Sequence, residues 1–199
     1  VREATKPKMD GSTSPLVIGV DIARKGCDRT LFCFRRGRWC VKFHVMRGYD
    51  TVEVADRLTA VIREEQPARV FLDLGNSGAG VYDILMARGL AEIVRGVNFG
   101  GKAIKSDRYF NKRAEMYGEA CNCFNGELPV QIPDDEEFVN DLFAVNLGDD
   151  EYGRLKLEKK DVVREALGRS PDKADAFVLT FAEPVYDLGR PRMYGNGNL

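Results

Sequence analysis

A nearly continuous apolar run, Leu16-Val17-Ile18-Gly19-Val20-Asp21-Ile22-Ala23, carries one carboxylate near its C-terminal end. A run of this length between turn-forming residues predicts a buried strand. An ionised Asp inside such a strand is costly to desolvate unless a cation is held beside it. A chain organised on this strand must therefore supply Asp21 with a partner. The remainder of the sequence offers two more carboxylates in comparable settings, Asp73 and Asp175, and the three are read as sharing a divalent metal.

The chain has 199 residues, 44% of them hydrophobic and 31% charged, as expected for one folded domain with a proper core. No stretch approaches the roughly 20 apolar residues that span a bilayer, and no signal-peptide pattern is present, so no membrane partner is expected. A formal charge of −1 gives no global attraction to nucleic acid, so any DNA binding must rest on local patches. The five cysteines lack paired metal-binding spacing and the single histidine is His44, which disfavours zinc. Free thiols in a reducing cytosol, with no disulfides, are the expectation. The chain begins at Val1 rather than Met, which suggests a piece of a longer polypeptide. Residues 1–15 have linker composition, 16–183 form the expected domain, and 184–199 read as a Gly-, Pro- and Asn-rich tail.

Strand one covers 16–22. Two strand-like runs, 30–34 and 39–46, flank Arg35-Arg36-Gly37-Arg38 and form a hairpin that lies antiparallel to strand one. Apolar spacing predicts a helix over 51–65, ended by Pro67. The strand at 69–74 follows this crossover and so pairs parallel with strand one. Gly75–Gly80 forms a loop before a helix at 82–88, a short strand follows at 93–97, and a long helix spans about 109–124. Residues 128–132 form a short extended piece and 134–142 an acidic helix. A second hairpin (143–147 with 154–157), a helix at 160–167 and a last helix to about 182 complete the order. Ser170 is read as the N-cap of that last helix and Pro171 as its first residue. The fold class is α/β with a mixed sheet.

Asp21 and Asp73 lie at the C-terminal ends of apolar strands, where open α/β sheets place ligands. Asp175 interrupts the apolar helix face of Ala174, Ala176, Phe177 and Val178. Asp172 suits a helix start, where an acid complements the dipole. Asp28 is either a further ligand or a cap of the Gly26-Cys27 turn. Carboxylates within about 4 Å of one another repel by a few kcal/mol at an effective dielectric near 20, and a divalent ion reverses that sign. Oxygen-only ligation points to Mg²⁺ or Mn²⁺ rather than Zn²⁺. Two such ions suit phosphodiester hydrolysis.

Val17-Ile18-Gly19-Val20-Asp21-Ile22-Ala23 with Gly26, Asp28 and Thr30 resembles the first strand of the nuclease domain of tailed-bacteriophage terminase large subunits. Phe71-Leu72-Asp73-Leu74-Gly75 with Gly78 and Gly80 resembles that family's second acidic motif. Asn111-Lys112-Arg113-Ala114-Glu115-Met116 resembles its long-helix signature, and Leu167 through Ala176 its final acidic motif. The resemblance spans about 16–182. It implies a ribonuclease H-like fold with helices on both faces of the sheet and an accessory β-hairpin, and a two-metal endonuclease that cuts concatemeric double-stranded viral DNA during packaging. By position, Asp21, Asp73 and Asp175 are the implied catalytic metal ligands, with Asp21 bridging; Asp28 and Asp172 are further candidates. The implied partners are double-stranded DNA, an ATPase motor domain of the same polypeptide, a portal and a small terminase subunit, in the cytoplasm of an infected host cell. The chain has no GxxxxGK[ST] loop, so no ATP site is expected within it.

Lys102, Lys105, Arg108, Lys112 and Arg113 form the best local basic patch for phosphate contacts, with Lys156 and Lys160 a smaller one. The acidic hairpin tip Asp149-Asp150-Glu151 is placed to repel phosphate and so gate DNA entry. His44, Trp39 and the phenylalanines near them read as core. Three rivals remain. One is a ribonuclease H-like nuclease of another kind, such as a junction resolvase. Another is a nuclease built on Glu158-x-Lys160, and the third a non-catalytic module that docks a packaging motor on DNA or capsid.

Overall fold

The computed structural model describes residues 13–22, 29–75 and 77–186. Strand β1 is Leu16–Asp21, followed by β2 (Arg29–Arg36) and β3 (Trp39–Arg47). Helix α1 (Thr51–Glu65) crosses to β4 (Arg69–Asp73), and α2 (Gly78–Ala87) to β5 (Val94–Val97). The remaining elements are α3 (Lys112–Asn125), α4 (Glu136–Ala144), the hairpin β6 (Leu147–Asp149) and β7 (Leu155–Leu157), α5 (Lys160–Leu167) and α6 (Asp172–Leu179). The main sheet has the order β3-β2-β1-β4-β5. β1 pairs antiparallel with β2 and parallel with β4, as the crossover requires.

Alternation along the strands sorts the core into two layers. Ile18, Val20, Phe32, Phe34, Val70 and Leu72 pack with Val54, Leu58 and Ile62 of α1 and Val81 and Leu85 of α2. Val17, Leu31, Cys33 and Phe71 face the opposite way, onto Met116 and Tyr117 of α3, Phe138 of α4 and Ala174 and Phe177 of α6. Asp21 and Asp73 share the strand parity of Val17 and Phe71, so both acids belong to the α3/α6 face. Cys33 and Cys40 are buried in that layer as free thiols, their sulfurs 3.6 Å apart. Helix α1 begins with a capping box: Asp50 accepts from the Val52 and Glu53 N–H groups, and Glu53 reaches back to the Asp50 N–H.

Four departures from expectation have a clear physical cause or consequence. α2 starts at Gly78 rather than near Tyr82, because Gly78 lets the helix begin hard against β4. A Cβ there would stand 1.8 Å from the Asp73 carbonyl oxygen. α3 starts at Lys112, capped by Asn111, because the preceding residues are extended: Phe110 N–H donates to the Leu155 carbonyl at 2.9 Å, and Leu155 N–H to that of Arg108 at 2.8 Å. The second hairpin is shorter and later than expected, starting at Leu147. At α6 the cap position belongs to Pro171, with no side-chain cap from its own segment. Asp141 of α4 supplies that bond instead, accepting from the Lys173 N–H at 3.0 Å.

Candidate metal centre

Parallel pairing runs from Val17 opposite Arg69 to Val20 opposite Leu72, and Asp21 and Asp73 stand one step beyond the last pair. Two carboxylates are thereby fixed side by side at the C-terminal edge of the sheet. The third comes down from α6. Gly19 lies two residues before Asp21 on the same face, and a Cβ there would meet the Ala176 carbonyl oxygen at 2.1 Å. The missing side chain lets α6 lie flush on β1, which brings Asp175 to the acids.

Each acid is held differently. Asp73 is 8% exposed and its Oδ1 accepts from the Gly75 N–H at 3.1 Å. The Gly75–Gly80 run thus turns the chain and seats Asp73. Asp175, 1% exposed, accepts at Oδ1 from Tyr117 OH at 2.8 Å and from Arg113 Nη2 and Nε at 2.9 and 3.3 Å. Its Oδ2 faces the Lys160 ammonium at 3.4 Å. Asp21 is half-buried at the end of β1.

The electrostatics follow from this crowding. Burial, then repulsion from Asp175 and Asp73, pushes the Asp21 carboxyl well above the usual range, although Lys160 opposes the rise. Burial also raises Asp73, against the Gly75 N–H and Lys160. Burial would raise Asp175 too, but Arg113, Lys160 and Tyr117 outweigh it and hold that carboxyl below the usual range. The centre is therefore an excess of buried negative charge, met in this structure by one ammonium and one guanidinium.

Among the described residues, no three His, Cys, Asp or Glu side chains stand together as a ready-made ligand set. The donor chemistry nonetheless fits a hard divalent cation: oxygen donors only, on rigid strand ends and a buried helix, with Lys160 already marking the place of a cation. Asp172 pairs with Arg29 at 3.2 Å, and burial, with Asp175 nearby, raises its carboxyl despite that partner. Asp28 lies outside the described residues.

A charged brace that sequence reasoning missed holds α6 in place. Arg29 also reaches Glu137 at 2.6 Å, Lys173 pairs with Asp135 and Glu137 at 2.6 and 2.8 Å, and Arg169 pairs with Asp141 at 2.6 Å. The acid-rich start of α4 was the available signal, because its clustered carboxylates need cations nearby.

The basic patches are corrected in part. Lys112 and Arg113 are 8% and 7% exposed and serve internal partners, Glu115 and Asp175, so they offer no surface to a phosphate backbone. A basic residue inside a helix otherwise lined by Ala114, Met116, Tyr117 and Ala120 was the sign of a buried partner. Lys102, Lys105, Arg108, Lys156 and Lys160 are exposed, although Lys105 pairs with Glu119 at 2.8 Å and Lys160 with Asp175 at 3.4 Å. The backbone bonds between 108–110 and Leu155 join the two patches that the sequence separates, and the Lys156 ammonium lies 4.6 Å over the Phe110 ring.

No protein-family model and no curated protein sequence matches the chain. Solved structures do. The nuclease domain of the large terminase subunit of bacterial virus Sf6 superposes with a TM-score of 0.70 at 19% identity, over 86% of this chain and 89% of that one. The fold is that of a phage terminase nuclease domain. A lysine-to-alanine mutant of the Sf6 domain with manganese gives a TM-score of 0.68 at 18% identity, over 86% of this chain and 89% of that one. The large terminase nuclease of thermophilic phage G20c with bound magnesium gives 0.60 at 15% identity, over 90% and 84%. The mixed five-stranded sheet with its flanking helices is thus the ribonuclease H-like architecture implied by the motifs.

Proposed function

We propose that this domain is a divalent-metal-dependent endonuclease that cuts concatemeric double-stranded DNA during viral genome packaging. One observation carries the reading: parallel register sets Asp21 beside Asp73, and the contact of α6 with Gly19 brings Asp175 within electrostatic reach of them, with more negative charge than the local cations balance. The shared fold supports it, as do the ions named for the terminase nucleases it resembles.

Asp21, Asp73 and Asp175 would hold Mg²⁺ or Mn²⁺, two ions being the working number. When bound, such ions activate a water and stabilise the leaving oxygen of the phosphodiester. The chain's own part is to fix the three carboxylates on rigid elements, and to hold DNA through exposed Lys102, Arg108 and Lys156 by contacts to the DNA backbone that read no sequence. In this reading, the chain acts in the cytoplasm of an infected bacterium beside an ATPase motor domain, a portal and a small terminase subunit.

Incubating the protein with plasmid DNA and Mn²⁺ or Mg²⁺ tests the proposal. Cleavage that requires metal and falls more than about 100-fold in both Asp21→Asn and Asp175→Asn is expected, since even outer-shell changes cost about 10–100-fold. Equal cleavage by the variants would assign the activity to another site or a contaminant.

A further inference from the structure

Helix α3 carries none of the three acids, yet it controls one of them. Arg113 and Tyr117 are four residues apart, so both project from one helix face. Both are buried, at 7% and 4% exposure, and both end on the same oxygen, Asp175 Oδ1. The guanidinium is itself confined, lying 5.1 Å over the Tyr117 ring and 6.0 Å over Phe99. The helix is seated as firmly: the Arg113 N–H donates to the Phe99 carbonyl at 3.0 Å, Asn111 caps the Ala114 N–H at 2.9 Å, and Gly118 admits the Tyr109 ring, which would lie 2.3 Å from an added Cβ.

We propose that Arg113 and Tyr117 are positioning residues that lock Asp175 through Oδ1, leaving Oδ2, which faces the Lys160 ammonium at 3.4 Å, as the oxygen able to take a metal ion in that ammonium's place. This rests on the metal-site reading above and sharpens it, making Asp175 a one-oxygen ligand of fixed rotamer. An unclamped carboxylate on a helix would sample several rotamers and lose affinity to the entropy of being ordered. Two donors on a rigid helix remove that cost before an ion arrives. A general charge effect is a different explanation, and variants that keep the charge separate the two.

The test is Mn²⁺ binding to the full chain, read by the electron paramagnetic resonance signal of free Mn²⁺, in wild type, Tyr117→Phe, Arg113→Lys and Asp175→Asn. Tyr117→Phe removes one oxygen and no charge; Arg113→Lys keeps the charge and loses the planar fork. Both are expected to bind Mn²⁺ about tenfold more weakly than wild type. Metal-free thermal unfolding run alongside establishes that each variant is folded. Tyr117→Phe decides between the two explanations if the buried arginine does not tolerate replacement. Mn²⁺ affinity of Tyr117→Phe within twofold of wild type, whatever its melting temperature, overturns the clamp and leaves the nuclease reading standing. Wild type binding Mn²⁺ no better than Asp175→Asn overturns both.

Discussion

On one side of the central sheet, Ile18, Val20, Phe32 and Leu72 meet α1 and α2 through hydrocarbon, with uncharged Thr59 the buried polar residue of those helices. On the other, the same strands present Val17, Gly19 and Phe71, and the helices above them bury Arg113, Glu115, Asp141, Lys173 and Asp175. Every buried charged residue among those described lies in α3, α4, α6 or at the end of β4. The first face needs only the right volume and pattern. The second must satisfy each polar atom it hides, since a buried charge without a partner costs several kcal/mol. The difference marks where a fold is merely stabilised and where it is also being used.

The contrast is broken most directly at Gly19. Gly19→Ala forces a methyl into the Ala176 carbonyl and should lower unfolding free energy by about 3 kcal/mol, at the upper end of overpacking costs. Denaturant titration would show it, and unchanged stability would mean that α6 does not rest on β1.

Asp21→Asn should move stability the other way in metal-free protein. The Asp21 carboxyl is raised by burial and by Asp175 and Asp73. A raised carboxyl contributes stability while protonated and loses it as pH rises through its folded pKa. At neutral pH the Asn variant should therefore melt higher, by about 2–4 °C for each kcal/mol relieved. That gap should close as pH falls toward the ordinary carboxylate range. It should also narrow on adding Mg²⁺, which stabilises the wild type. A gap of constant size between acid and neutral pH would contradict the crowding of the three acids.

The basic residues separate by the same logic. Lys102→Ala with Arg108→Ala should lessen the salt dependence of DNA affinity by about one unit of slope for each phosphate no longer bound, and leave the melting temperature unchanged. Lys112→Ala should do the reverse, because its ammonium holds Glu115 at 2.7 Å inside the protein. The smallest change belongs to the apolar face. Ile18→Val removes one methylene and should cost about 1 kcal/mol with no effect on cleavage.

Much of this was legible from the chain. The spacing of Val54, Leu58, Val61 and Ile62, ended by Pro67, set the bounds of α1, and the crossover set the parallel pairing of β1 with β4. The three acids stood out because carboxylates in apolar settings need a reason. Arg113 did not stand out, because a Lys-Arg pair at a helix start looks like solvated surface. The apolar residues around it hint at burial, but its partner Asp175 is 62 positions away, and no local pattern names that partner. The start of α3 was misplaced for a similar cause, a strand contact with Leu155 that outcompetes helical hydrogen bonds at 109–110. The trans cap from Asp141 to α6 is likewise a tertiary bond.

The paired thiols of Cys33 and Cys40 have a practical consequence. Both are shut inside the sheet–helix layer, whereas Cys121 is open to solvent. A small alkylating reagent should modify Cys121 at once and reach the inner pair only when β2 and β3 part from α6. Mass spectrometry that resolves each cysteine would then time the opening of the layer that carries Asp175, with no engineered label and no need for the protein to cut anything.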